Sequence, residues 1–514
     1  MDKIRLLAFL ALFVPLAMGK SCNLYDPSTW DLNLGGQRLG GTGIKAKQLN
    51  KDAFTNTAAF ATNNAVGLLT ARRDHTATLL FDGRVLIVGG EFNGAPVGEC
   101  EFYDQGSGEF TKAATLVTAR MRHTATRLSN GKVIIAGGQD TQLNGLQSIE
   151  IYDPNTDQFS VLISTLSVPR YGHTATLFPA DGSIIFIGGF KDNNLLTPEA
   201  TPTVDIFTPA GPPGQKIEAA DDMPENRAHH AATLLPGPDK IMGTPDDRIL
   251  VSYGIGSNKV GTQINHVLRT SFLVFDPSIP KGSGNQWKTP NGVNGVARRW
   301  GHHAIQTLNP NFDVIILAGI NAGSTNQYTG TCGNSSRDDG SGPVQAVEVY
   351  RPLSTLTNPL PQAAPLITPA NVATVPPPMQ PFVGGMGSVA IRHPNGGILI
   401  AAGVMLQSSA PCVRAFSNTG YLINTTDADP NNWTIRQCGQ GFQAVQGAPQ
   451  SSPSNGPGAA LLNIAHAFSA ITLLPGPDGF AGTTDDTILI CGGQETGPTQ
   501  IQSADVYTMP DTLP

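Results

Sequence analysis

Residues 72–91 read RRDHTATLLFDGRVLIVGGE, and the same pattern returns as RMRHTATRLSNGKVIIAGGQ (120–139), RYGHTATLFPADGSIIFIGGF (170–190), RAHHAATLL with RILVSYGIG (227–235, 248–256) and RWGHHAIQTLNPNFDVIILAGIN (299–321). Each copy holds an Arg, two residues, a His, a short apolar run, a turn, a second apolar run and then small residues. Short runs rich in Val, Ile and Thr, punctuated by Asp-Gly or Asn-Gly, predict two strands of a hairpin, with the second run apolar enough to be buried on both faces.

A third strand follows each copy: ECEFYDQ (99–105), SIEIYDP (148–154), TVDIFTP (203–209), SFLVFDP (271–277) and AVEVYRP (346–352). A fourth follows as GEFTKAATL (108–116), DQFSVLISTL (157–166) and NQWKTP (285–290). Such a unit cannot bury its own faces and must stack on its neighbour, so the repeat decides the fold. Two weaker copies complete the series, MGSVAIRHPNGGILIAAG (386–403) and AHAFSAITLL with TILICGG (465–474, 487–493). In them the Arg and His positions read as Val383 and Met386, and as His466 and Ser469. The seventh copy ends after its third strand, SADVYTM (503–509), while DAFTNTAAF (52–60) matches GEFTKAATL and can supply the missing fourth. The expectation is an all-β, seven-bladed propeller of four-stranded antiparallel blades, closed by the N-terminal strand in the last blade; a ring of this kind leaves only short protected edges. Its boundaries are read as a leader at 1–19, an extension at 20–49, the propeller at 50–514, the closing strand within 50–66, and blades near 72–118, 120–168, 170–226, 227–298, 299–382, 384–460 and 461–514.

The order of strand, Gly-Gly, VEVYDP-like strand and Trp or Phe strand resembles the kelch repeat, as in kelch proteins and the propeller of the galactose oxidase family, here in a bacterial-type exported chain. The resemblance covers about residues 50 to 514 and implies the fold; it says little of activity, because the fold hosts binders and enzymes alike. The galactose oxidase chemistry it brings with it is a copper held by two Tyr and two His, one Tyr linked to a Cys. The adjacent Tyr-His pair of that family is absent here. Outside the repeat positions stand Tyr25, Tyr171, Tyr253, Tyr328 and Tyr421 with His266 and His393, and no spacing among them picks out a copper set, so a copper radical oxidase is disfavoured and no copper is expected. Nor is a nucleotide: no Walker loop occurs, and no nucleophile elbow or HExxH either.

The 514 residues carry a formal charge of −7 with 58 Gly, 40 Pro and six Cys. That charge lacks the basic footprint of nucleic-acid binders. The N-terminus MDKIRLLAFLALFVPLAMGKSC has a basic start, an apolar run from Leu6 to Leu16 and small residues at Ala17 and Gly19, the plan of a secretory leader cleaved after Gly19. The run is too short to span a bilayer, and no transmembrane span is expected in the mature chain. Cys22 invites a lipid anchor, but Lys20 occupies a place where that signal takes a small residue. The expected location is secreted, periplasmic or at the cell surface. Of the cysteines, Cys412 and Cys438 flank one expected sheet and are the first choice for a disulfide.

Three sets of side chains are candidates for specific roles. Arg120, His123, Arg170, His173, Arg299 and His302 recur once per blade; they form a ring rather than converge, and a structural role is expected, each His bonding a neighbouring carbonyl. Tyr103, Tyr152, Tyr350 and Tyr507 share the third-strand position and are expected in the core. The loops PGPDKIMGTPDD and PGPDGFAGTTDD replace the short first turn of blades four and seven. Their Asp239, Asp246 and Asp247, and Asp478, Asp485 and Asp486, suit a hard cation with oxygen ligands, Ca²⁺ before Mg²⁺, or else a solvated turn. The longest second-to-third loops lie in blades three to five and open on the opposite face; they offer His266, Arg269, Asn321, Tyr328, Arg337 and Asp338 for a ligand. The Pro-rich stretch before blade six reads as an extended connector. The expected function is a monomeric, non-catalytic propeller binding a carbohydrate or a cell-surface protein. The alternatives are a carbohydrate-active enzyme of epimerase, lyase or oxidase type, and a structural envelope protein.

Overall fold

The structure is a computed structural model and describes residues 53–56, 67–191, 198–209, 216–261, 263–289, 295, 298–320, 347–352, 364–367, 387–401, 403–409, 412–416, 420–428, 433–438, 467–476, 478, 480–494, 502–510 and 513. Seven four-stranded antiparallel sheets form the blades of a propeller. Blade 1 is Thr76–Leu79, Val85–Val88, Glu101–Asp104 and Glu109–Lys112, and blade 2 repeats it as Thr124–Arg127, Val133–Ala136, Ile149–Asp153 and Gln158–Val161. The first strands of neighbouring blades pack side by side all the way round, blade 7 against blade 1 included. Closure comes from the N-terminal strand Ala53–Asn56, which pairs antiparallel with Ala504–Thr508 in the register Phe54 to Tyr507 and Asn56 to Asp505.

The second strands are apolar because both of their faces are covered. Val85–Val88, Val133–Ala136 and Ser183–Ile187 are buried at every position, and the core is a series of clusters, one between each pair of adjacent blades. Tyr103, Tyr152, Tyr350 and Tyr507 lie in these clusters. The glycines after the second strand meet the next blade at close quarters. At Gly89 (φ +60) a Cβ would stand 2.4 Å from the Arg120 carbonyl and 2.7 Å from the His123 ring, so a side chain there would push blades 1 and 2 apart.

The repeated Arg is an intrablade clamp. Arg120 is fully buried; its guanidinium donates to the carbonyls of Gly137 (2.8 Å) and Ser148 (3.1 Å) and to Glu150 Oε1 (2.7 Å), tying the second strand to the third. Arg72 with Glu101, Arg170 with Asp205 and Arg299 with Glu348 repeat the pairing at 2.6 Å. The repeated His works between blades, and its partner is not the expected carbonyl. His123 Nε2 lies 3.0 Å from Thr76 Oγ1 of the preceding blade, His173 3.1 Å from Thr124 and His230 2.9 Å from Thr174. Where the first-strand residue is Ala, the residue across the ladder substitutes. Ser252, opposite Ala231, meets His302 at 2.8 Å, and Cys491, opposite Ala470, meets His75 at 3.8 Å.

Two further expectations change. In blade 6 the register Val389 to Ala401 aligns Ser388, not Met386, with the His of the other blades; Val383 and Met386 lie outside the described residues. The roles are exchanged there, His303 of blade 5 standing 3.1 Å from Ser388 Oγ. The Pro-rich connector contains Ala364–Ile367, the outer strand of blade 5, where an edge position tolerates Pro365. The disulfide expected between Cys412 and Cys438 involves a side chain, that of Cys412, outside the described residues; Cys438 itself is buried. It packs between blades 6 and 7, its N–H on the Gly420 carbonyl, whereas Cys412 sits at the turn end of the hairpin Val404–Ser409 and Cys412–Phe416, which leaves the blade between its second and third strands.

Candidate functional site

Around the axis, on the face where the second-to-third loops emerge, each blade presents the residue that precedes the repeated His or its equivalent. These seven are Asp74, Arg122, Gly172, His229, Gly301, Gly387 and Phe468, and all have positive φ, from 49° to 66°. Their backbones bond one to the next: Asp74 N–H to Phe468 O, Arg122 to Asp74, His229 to Gly172, Gly301 to His229 and Phe468 to Gly387, at 2.7 to 3.2 Å. The conformation belongs to the ring and suits glycine. Four blades nonetheless place Asp, Arg, His and Phe there, a left-handed conformation that costs roughly 1–2 kcal/mol per residue. Non-glycine residues in such conformations cluster at functional sites.

A second tier flanks this ring through bridges from the residue after the Arg to the residue after the small pair: Arg73 to Glu91, Met121 to Gln139, Tyr171 to Phe190, Ala228 to Ile255, Trp300 to Ile320 and Ala467 to Gln494. Together the tiers make a mouth with two unlike halves. On one side Arg73 is bidentate to Glu91 (2.8 and 2.9 Å), donates to Gln494 and lies 5.9 Å from the Phe468 ring. Beside it Arg122 donates to Gln139 (2.7 Å) and pairs with Asp74 at 3.4 Å. On the other side is a chain of rings: Tyr171 to Phe190, Phe190 to His229 and His229 to Trp300, each 5.6 Å apart. Tyr171, Phe190 and Trp300 are buried and make this half a packed wall, so the polar half, where Arg73 and Arg122 are partly exposed, is the side suited to holding a ligand.

Hairpins stand on the same face at Glu91–Phe92 with Ala95–Pro96, at Ile255–Val260 with Gln263–Leu268, and at the blade 6 hairpin. The large apolar side chains exposed here are Leu69, Phe92, Val117, Val161, Ile163 and Val260; only Ile241, in the long first turn of blade 4, lies on the other face among the described residues. A groove of about 390 Å³ runs between Leu69 and the blade 1 hairpin, lined by Phe92, Pro96, Val97 and Lys112 over Cys100.

Two of the ligand residues expected from sequence are committed to scaffolding. His266 is buried with Nε2 2.7 Å from the Pro198 carbonyl, and Arg269 donates to Asn226 Oδ1 (2.9 Å) and O (3.2 Å). Asn321, Tyr328, Arg337 and Asp338 lie outside the described residues. In the acidic loops the carboxylates accept from their own turn. Asp247 accepts from Gly243 N–H (2.6 Å), Asp246 from Thr244 Oγ1 (2.6 Å) and Asp239 from Ile241 N–H (2.8 Å). Asp486, Asp485 and Asp478 repeat these bonds with Gly482, Thr483 and Phe480. Burial pushes Asp247 up to about 7 and Asp486 up to about 8. Among the described residues no three His, Cys, Asp or Glu side chains gather to hold a metal ion.

Sequence reasoning passed over the mouth residues. Their signal is a variable pair in a constant frame: the second of the two residues between Arg and His reads Asp74, Arg122, Gly172, His229 and Gly301.

Residues 120–162 match the Kelch motif. They are blade 2, and the other six blades repeat its strand order, so the chain is a seven-bladed β-propeller with a Kelch motif in its second blade. The solved structure of YjhT is similar with a TM-score of 0.43 at 14% identity, covering 72% of this chain and 98% of that one. No curated protein matches the chain. Among the described residues no helix is long and apolar enough to cross a membrane.

Proposed function

We propose that this kelch-type propeller is an exported, non-catalytic binding protein that docks a partner protein on its mouth face. The observation that carries the reading is the one-sided distribution of exposed apolar side chains among the described residues: Leu69, Phe92, Val117, Val161, Ile163 and Val260 lie on the mouth face, against Ile241 opposite. Contiguous apolar surface beside polar groups marks interaction sites, and aromatic and Arg side chains are the usual anchors of an interface. Export rests on the leader-like N-terminus.

The test uses labelled protein binding to the outside of cells of the source organism. Leu69→Glu with Val117→Glu on the mouth face lowers binding at least tenfold, and Ile241→Glu on the other face leaves it unchanged. Equal losses from both faces, or none from either, overturn the reading. The Arg73–Glu91 and Arg122–Asp74 pairs at the mouth favour a second occupant, a carbohydrate, because guanidinium and carboxylate groups take sugar hydroxyls. Competition by soluble polysaccharide distinguishes it from a protein partner.

A further inference from the structure

Six of the seven blade junctions are closed by a side-chain pair that contains an imidazole: His75 with Cys491, His123 with Thr76, His173 with Thr124, His230 with Thr174, His302 with Ser252 and His303 with Ser388. The five repeated histidines are 6 to 7% exposed, and every pair joins one blade to the next. Repetition turns a local bond into a property of the ring. The charged groups around these imidazoles differ from junction to junction. His75 has Arg72 on its own segment and Asp74 beside it, and His123 has Arg120, His75 and Asp74. His173 has Arg170 with His123 and His230, and His230 has Arg227, Arg170 and His229. His302 has Arg299, Arg227, His230 and His303, with the Tyr253 ring edge-on to it, and His303 is set by burial and a contact to the Ser388 carbonyl. The carboxylates near these arginines, Glu101, Glu150, Asp205, Glu225 and Glu348, are spent on the guanidinium groups.

We propose that the imidazole staples make the closure of the ring acid-labile, with the junctions between blades 2 and 5 parting first. Protonation adds a cation to a site that already holds a buried Arg, and at His173, His230 and His302 no carboxylate offsets it as Asp74 does at His75 and His123. Burial holds His75 and His123 down at about 3 and His303 at about 4, and holds His173, His230 and His302 well below the usual imidazole value. The sign follows. A folded value below the unfolded one, about 6.5, gives stability that is present above pH 6.5 and lost as pH falls.

The experiment is hydrogen exchange of the full chain at pH 6.5 and 4.5, corrected for intrinsic exchange, with guanidine midpoints at the same values. Protection of Thr174–Phe178 and Ala231–Leu235 falls at least tenfold more than that of Thr76–Leu79, and the midpoint falls with it. In His173→Gln with His230→Gln, which keep a neutral polar side chain, the difference between the two pH values shrinks at least threefold. A midpoint in the wild type that is constant or higher at pH 4.5, or protection lost uniformly, overturns the proposal even where the variant fails to fold.

Discussion

At the scale of single residues, equivalent positions divide into those that hold the ring and those that vary within it. His123 belongs to the first kind. His123→Ala strips Thr76 Oγ1 of its partner and lowers stability by about 1 to 3 kcal/mol without removing binding, as read by urea melts beside the cell-binding assay. Binding lost at unchanged stability would show the structural role to be wrong. Arg122 belongs to the second kind. Arg122→Gly relieves a φ of 57° but deletes the 2.7 Å bond to Gln139 and the 3.4 Å pair with Asp74; relief and loss, each about 1 to 2 kcal/mol, largely offset, so stability changes by about 1 kcal/mol while binding falls tenfold or more. Undiminished binding would move the ligand away from the mouth. The Arg and His of the frame were legible in sequence because they repeat. Their partners were not, because Thr76 and Ser252 occupy different strands and become equivalent only through cross-strand register.

At the scale of the element, the two acidic turns carry the next prediction. The folded values of Asp247 and Asp486, about 7 and about 8, stand above the unfolded carboxylate near 3.9, so their contribution is full below about pH 3.9 and is lost as pH rises through 7 to 8. Between pH 7.5 and 9, where the imidazoles are neutral in both states, the guanidine midpoint therefore falls, and Asp247→Asn with Asp486→Asn flattens the slope. The calcium reading is tested in the same experiment. A cation held by these loops binds ionised carboxylates, so Ca²⁺ restores the midpoint at pH 8 and EDTA lowers it. A midpoint indifferent to both assigns the loops to self-capped turns. The spacing of the aspartates was visible in sequence; which amide each accepts depended on the turn's backbone.

At the scale of the whole molecule, the ring is closed by four residues. Removing Ala53–Asn56 leaves Ala504–Thr508 as an unpaired edge, so the truncated chain melts at lower temperature throughout and gains protease sensitivity in blade 7; unchanged melting would place closure elsewhere. Blade count, strand order and closure were determined by the sequence alone, because a period-two apolar pattern and Gly-marked turns are local signals repeated seven times, and a four-stranded unit has no other way to bury both faces. The mouth was decided by the tertiary structure. Asp74, Arg122, His229 and Phe468 are separated by 48 to more than 200 residues and meet only because seven first strands converge on one axis. Local pattern fixes which residues form strands; only the packing of blades around a common axis fixes which side chains face one another.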